Sequence, residues 1–104
     1  MTLPGFDGAW GRETVALFQA LSQQDRMTLI SAFDAGVRPV LVTAKGSAND
    51  RFWGRLALIG WARPDTAHED LPPDYWAGFS SWRLTERGLT SLPSLLQYAP
   101  EIRR

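Results

Sequence analysis

The chain has 104 residues, room for one domain with one modest core. A hydrophobic fraction of 44% with five tryptophans excludes a disordered polymer, and the lack of cysteine excludes disulfides and thiolate metal sites. The 11 basic and 11 acidic residues cancel, which counts against gripping nucleic acid by phosphate neutralisation alone.

The opening residues, Met1 to Asp7, lack a basic stretch followed by an apolar run, so no signal peptide is expected. No segment reaches the roughly 18 apolar residues that span a bilayer. With no cysteine to protect, a cytoplasmic location is expected and no membrane contact.

Residues 1–10 are rich in Gly and Pro and are expected to form an extended lead-in, pinned by Phe6 or Trp10. The first predicted helix runs Arg12–Leu21, because Thr14, Leu17, Phe18 and Leu21 fall at the spacing of an apolar stripe. Ser22 opens a second helix. With Asp25 it forms a Ser-x-x-Asp capping box, Met27, Ile30 and Phe33 supply the buried face, and Gly36 ends it.

Val37–Val42, with Pro39 and several β-branched residues, predicts a short strand or extended segment near a sheet edge. Ser47-Ala48-Asn49-Asp50 repeats the helix-start signature, so a third helix is predicted from Ala48 to Ile59, stopped by Gly60. Trp61–Arg63 is predicted as a strand, Pro64–Phe79 as a long loop and Ser80–Leu84 as the returning strand. Thr85 then caps a helix Glu86–Ser91. Pro93 is expected to break it, leaving Leu92–Tyr98 as a separate turn. The segments Val42–Gly46 and Leu84–Gly88 echo each other, each with an apolar residue, a threonine, a base and a glycine. Five residues are too few for a repeat. The shared expectation is a strand ending at a threonine that caps the next turn.

On the third helix, Phe52, Leu56 and Ile59 gather on one side with Trp53 at its margin, while Arg51, Arg55 and Leu58 gather on the opposite flank. Arg51 and Arg55 stand one turn apart and are expected to point outward together. Leu58 between them suits a thymine methyl, a protein interface or core packing.

The loop carries Asp65, Glu69, Asp70 and Asp74 with no Lys or Arg, so it holds −4 and the remaining chain +4. Its Leu71–Phe79 stretch sets Tyr75, Trp76 and Phe79 beside two prolines. Rings folded back would close the core, whereas exposed rings would anchor a protein interface.

No residue set signals catalysis. His68 is the only histidine, and with Glu69 and Asp70 it falls short of a metal site. Phosphate-loop, dinucleotide and nucleophile-elbow motifs are absent. An enzyme, a metal and a cofactor are therefore not expected.

The step Leu56-x-x-x-Gly60-Trp61, followed by Leu84-Thr85-x-Arg87-Gly88, resembles the second half of winged helix-turn-helix regulators of the multiple-antibiotic-resistance type. The resemblance covers about residues 49–95. In that family a recognition helix enters a β-hairpin wing whose second strand runs into a Leu-Thr-x-x-Gly helix start. The usual helix ahead of the recognition helix is poorly represented here, and the wing is long and acidic.

The resemblance implies one α+β, winged-helix-like domain over residues 1–104, helices with a short antiparallel β-hairpin wing. It also implies a small transcription regulator of bacterial or phage type, binding double-stranded DNA through helix 48–59 as a homodimer. Arg51 and Arg55 would enter the major groove. Asn49 would read a base or phosphate, Ser47 would hold a phosphate, and Lys45, Arg63, Arg83 and Arg87 would contact the backbone. The N-terminal helix and Leu92–Tyr98 would pair the subunits. The alternative is a winged-helix protein-interaction module or inhibitor, such as a phage antagonist of a host machine. It would act through the acidic aromatic loop with Asp74, Tyr75, Trp76 and Phe79.

Overall fold

In a computed structural model, residues 9–65, 72 and 77–98 are described. The first helix, α1, spans Ala9–Gln19, and α2 spans Gln23–Ala35. Strand β1 (Leu41–Ala44) leads into α3 (Ala48–Leu58), then come β2 (Ala62–Pro64), β3 (Phe79–Leu84) and α4 (Glu86–Leu96). The sheet is antiparallel in the order β1-β3-β2, so β3 is central and β2–β3 form the hairpin. This is the expected α+β class with a winged-helix-like layout.

Helix starts obey their capping residues. Ser22, Ser47 and Thr85 each accept a hydrogen bond from the backbone N–H three residues on. At the end of α3, Gly60 takes φ 83°, its N–H donates to the Ala57 carbonyl, and the Trp61 N–H donates to that of Leu56. This pair of bonds is a complete Schellman ending, available because glycine carries no Cβ.

The core lies between the helices and one sheet face. Phe18, Leu21, Leu29, Phe52, Trp53, Leu56, Trp61, Leu84, Leu92 and Leu95 are its large buried members. The Phe18 and Phe52 rings meet at 5.8 Å, joining α1 to α3. Along α2 the buried stripe is Leu29 and Ala32, while Met27 is exposed and Ile30 and Phe33 are half-buried. The expected face was thus rotated by part of a turn.

Two further expectations need correction. The first strand lies at Leu41–Ala44, later in the chain than Val37–Val42. The last helix continues through Pro93 to Leu96. Pro93 faces solvent, while Leu92, Leu95 and Leu96 on either side of it are buried. A proline inside a helix costs about 3 kcal/mol. Burying each leucine contributes roughly 1.5–3 kcal/mol, so the three together outweigh the kink. Those leucines belong to the chain's own core and do not form the subunit seam proposed for Leu92–Tyr98.

Candidate functional site

The predicted nucleic-acid residues divide among three places. At the start of α3, Lys45 is exposed in the turn after β1, and its backbone N–H donates to the Gly78 carbonyl. Arg51 is exposed, with Nη1 3.4 Å from the Gly46 carbonyl. Ser47 is occupied as the cap, accepting from the Asp50 N–H at 3.1 Å. Asn49 turns inward, and its Oδ1 is buried without a hydrogen-bond partner.

Arg55 departs from expectation. Instead of projecting beside Arg51, it reaches α1, where Nη2 lies 3.2 Å from Glu13 Oε2 and Nε donates to Thr14 Oγ1 at 3.3 Å. The reason is packing: α1 lies against α3 and covers that flank. Leu58, by contrast, is 76% exposed, which removes core packing from its three readings. The outward ridge of α3 is therefore Arg51 and Leu58, one base and one large apolar side chain.

Residues 45–61 hold a single helix, and β1 separates α2 from α3. The resemblance's motif residues are engaged in structure. Thr85 Oγ1 donates to the Gly60 carbonyl at 2.7 Å, and the Thr85 N–H donates to the Trp61 carbonyl at 3.0 Å. Gly88 lets α4 approach so closely that a Cβ there would stand 2.0 Å from the Trp61 oxygen. The two motifs accompany each other because they clamp the hairpin base to α4.

The other bases lie on the sheet and α4. Arg63 and Arg83 are directly opposite on β2 and β3. Like charges so placed repel, and Asp65 offsets them, its Oδ1 lying 3.4 Å from Arg83 Nε. Arg83 also donates from Nη1 to the Arg38 carbonyl at 3.1 Å. Arg87 is exposed in the first turn of α4, beside Gly60.

Ladder alternation fixes the outer sheet face. Thr43, Ala62 and Leu84 are buried on the inner face, so Val42, Ala44, Phe79, Ser81, Arg63 and Arg83 lie on the other. Val42 is 59% exposed and Phe79 48%, and Val40, just before β1, is 42% exposed. Of the loop residues proposed for a protein interface, Phe79 is thus exposed, while Asp74, Tyr75 and Trp76 lie outside the described residues. So do Phe6 and the acidic cluster with His68.

A polar relay that sequence reasoning missed ties this sheet to α3. Trp82 Nε1 donates to Thr43 Oγ1 at 2.9 Å, and Thr43 Oγ1 donates to Asp50 Oδ1 at 2.8 Å. Asp50 Oδ2 accepts the Gly46 N–H at 3.0 Å. Burial pushes the Asp50 carboxyl up. The Gly46 N–H, the Thr43 and Ser80 hydroxyls and the Lys45 charge outweigh that, so its pKa is lowered. A threonine alternating with apolar residues in a strand was the signal available. The echo with Leu84–Gly88 misdirected it, because Thr85 caps a helix whereas Thr43 stays in β1 and binds Asp50.

Among the described residues no group of three or more His, Cys, Asp or Glu side chains gathers to hold a metal. No helix in them is long and apolar enough to cross a membrane. Comparison with family models, with curated proteins and with solved structures finds no match to this chain.

Proposed function

We propose that this domain is a protein-interaction module whose contact surface is the outer face of the sheet. The observation that carries this reading is the shared exposure of Val40, Val42 and Phe79 along one side of the sheet. Contiguous exposed apolar surface on a small domain marks a contact site, and an aromatic ring within it is a favoured anchor. Arg63, Arg83 and Asp65 supply a charged margin on the same side. Zero net charge and the absence of cysteine suit a module working in the cytoplasm.

DNA binding through α3 has weaker support. Lys45 and Arg51 are exposed, but Arg55 is engaged by Glu13 and Thr14, and Asn49 is turned inward. A groove-reading helix would offer one outward arginine where two were required.

The test pairs two measurements. Cross-linking from lysate should capture a defined protein with the natural chain and lose it with Val42→Ser/Phe79→Ser, at unchanged far-ultraviolet circular dichroism. Duplex DNA should show no affinity that falls with salt. Low-salt DNA binding with a steep salt slope, reduced in Arg51→Ala and indifferent to the double substitution, would replace this reading with a DNA-binding regulator.

A further inference from the structure

We infer that the open edge of β1 is a docking site for an extended segment of a partner protein, apolar in alternate positions and flanked by carboxylates. This deepens the protein-binding reading above and rests on it.

The edge follows from the hydrogen-bond parity of the sheet. In an antiparallel ladder, alternate residues turn both backbone groups toward one neighbour. The Lys45 N–H donates to the Gly78 carbonyl, extending the pairing Ala44↔Phe79 by one residue. Lys45, Thr43 and Leu41 therefore face β3. On the other side of β3, the Asp65 N–H donates to the Ser81 carbonyl and the Thr85 N–H to that of Trp61, giving β3 the complementary parity. Val42 is left with its N–H and C=O directed away from the sheet, and Ala44 with its N–H, its carbonyl accepting the Ser47 N–H at 3.1 Å; among the described residues β1 is the terminal strand.

Sheet edges are ordinarily blunted by proline, charge, a bulge or a covering element. The strand Leu41-Val42-Thr43-Ala44 contains no proline or charge, and its pairing with β3 runs without a bulge. Side chains of Val42 and Ala44 stand exposed beside the outward N–H and C=O of Val42 and the outward N–H of Ala44. An incoming strand would gain backbone hydrogen bonds from the edge and apolar contact from Val42, with Phe79 one strand further in. This is recognition by strand addition.

Charge identifies the occupant. Exposed Arg38 precedes the strand, and exposed Lys45 and Arg51 follow it. Asp50, near that end and held by Thr43 and Gly46, offsets one of those two charges through its interaction with Lys45, so the end keeps a net positive charge. Positive charge thus brackets both ends, which favours acidic flanks on the incoming segment. A second copy fits worse. Antiparallel pairing centred on Val42 would set Lys45 of one copy opposite Pro39 of the other and Gly46 opposite Arg38, bringing the positive ends of the two edges together.

The probe is a nine-residue peptide of alternating valine and threonine with two aspartates at each end. It is added to the full chain while amide hydrogen exchange is followed by NMR. Val42 and Ala44 amides should slow by at least about tenfold at saturation, with Lys45 protected before and after. The same peptide N-methylated at alternate amides, and an analogue flanked by lysines, should each bind at least about tenfold more weakly. Val42→Pro should keep the fold, because an edge position tolerates the missing N–H, and should lose the peptide. If that variant does not fold, the N-methylated peptide carries the same test from the ligand's side.

Unchanged exchange at Val42 and Ala44, or equal binding of the N-methylated peptide, would overturn the inference. So would protection of these amides without peptide, because the edge would then already be covered by this chain or a second copy. The two readings fail separately. Partner capture that is lost in Val42→Ser/Phe79→Ser but survives in Ala44→Pro, which removes an edge N–H and keeps both of those side chains, would keep the outer face and discard the edge.

Discussion

Replacing Gly88 with alanine pits two effects of opposite sign against each other. On helix propensity alone the change would stabilise α4 by about 1 kcal/mol. The new methyl group, however, would stand 2.0 Å from the Trp61 carbonyl oxygen and 2.9 Å from its carbon, both backbone atoms that cannot swing away. Relief requires α4 to retreat by roughly 1 Å, since an ordinary carbon–oxygen contact lies above about 3 Å. Overpacking of this kind costs about 1–3 kcal/mol. The retreat also lengthens the Thr85 bonds to the Gly60 and Trp61 carbonyls, worth about 1 kcal/mol each. The net expectation is a loss of about 2–4 kcal/mol, or a fall in melting temperature of roughly 10–25 °C. Urea and thermal unfolding followed by tryptophan fluorescence and circular dichroism measure it directly. Gly54→Ala on α3 is the control, because a Cβ there meets nothing within 4 Å. It should gain about 0.5–1 kcal/mol. A Gly88→Ala protein as stable as the natural chain would refute the clamp between the hairpin base and α4.

The relay and the α1–α3 contact give further expectations. The Asp50 pKa is lowered in the fold from its ordinary value of 3.8, so the stability it contributes is present above that value and lost as pH falls through the folded pKa. Urea midpoints measured from neutral pH downward should decline below about pH 4 in the natural chain, and Asp50→Asn should be less stable at neutral pH with a shallower acid decline; an identical slope would remove Asp50 from the relay. Arg55→Ala should cost about 1–2 kcal/mol, chiefly through the hydrogen bond to buried Thr14, because the pair with the more exposed Glu13 is worth little. The same substitution should leave any residual salt dependence of DNA binding unchanged, and a reduced slope would return Arg55 to the candidate interface.

Much of the fold was legible because its boundaries are written in local chemistry. Ser22, Ser47 and Thr85 announce helix starts, and Gly36 and Gly60 announce ends, through hydrogen bonds made within a few residues. The faces were less legible, because they depend on what packs where. Arg51 and Arg55 are neighbours on one helix, yet α1 covers one and leaves the other exposed. No spacing along α3 carries that information. Pro93 shows tertiary burial overriding a local rule, since leucines on either side hold the helix together. Asp50 was visible as part of a helix start, but its bond to Thr43 joins two elements and emerges only when β1 is laid against α3.

The bonds from Asp65 to Ser81 and from Lys45 to Gly78 close the ladder at both margins of the excursion between β2 and β3. Anchorage of its two ends is thereby independent of how much polypeptide runs between them. Doubling a surface loop whose ends are held costs only about 0.6 kcal/mol of closure entropy. The register of the hairpin is accordingly set by these two bonds and by the clamp of Gly60, Thr85 and Gly88, and not by the residues between Asp65 and Gly78.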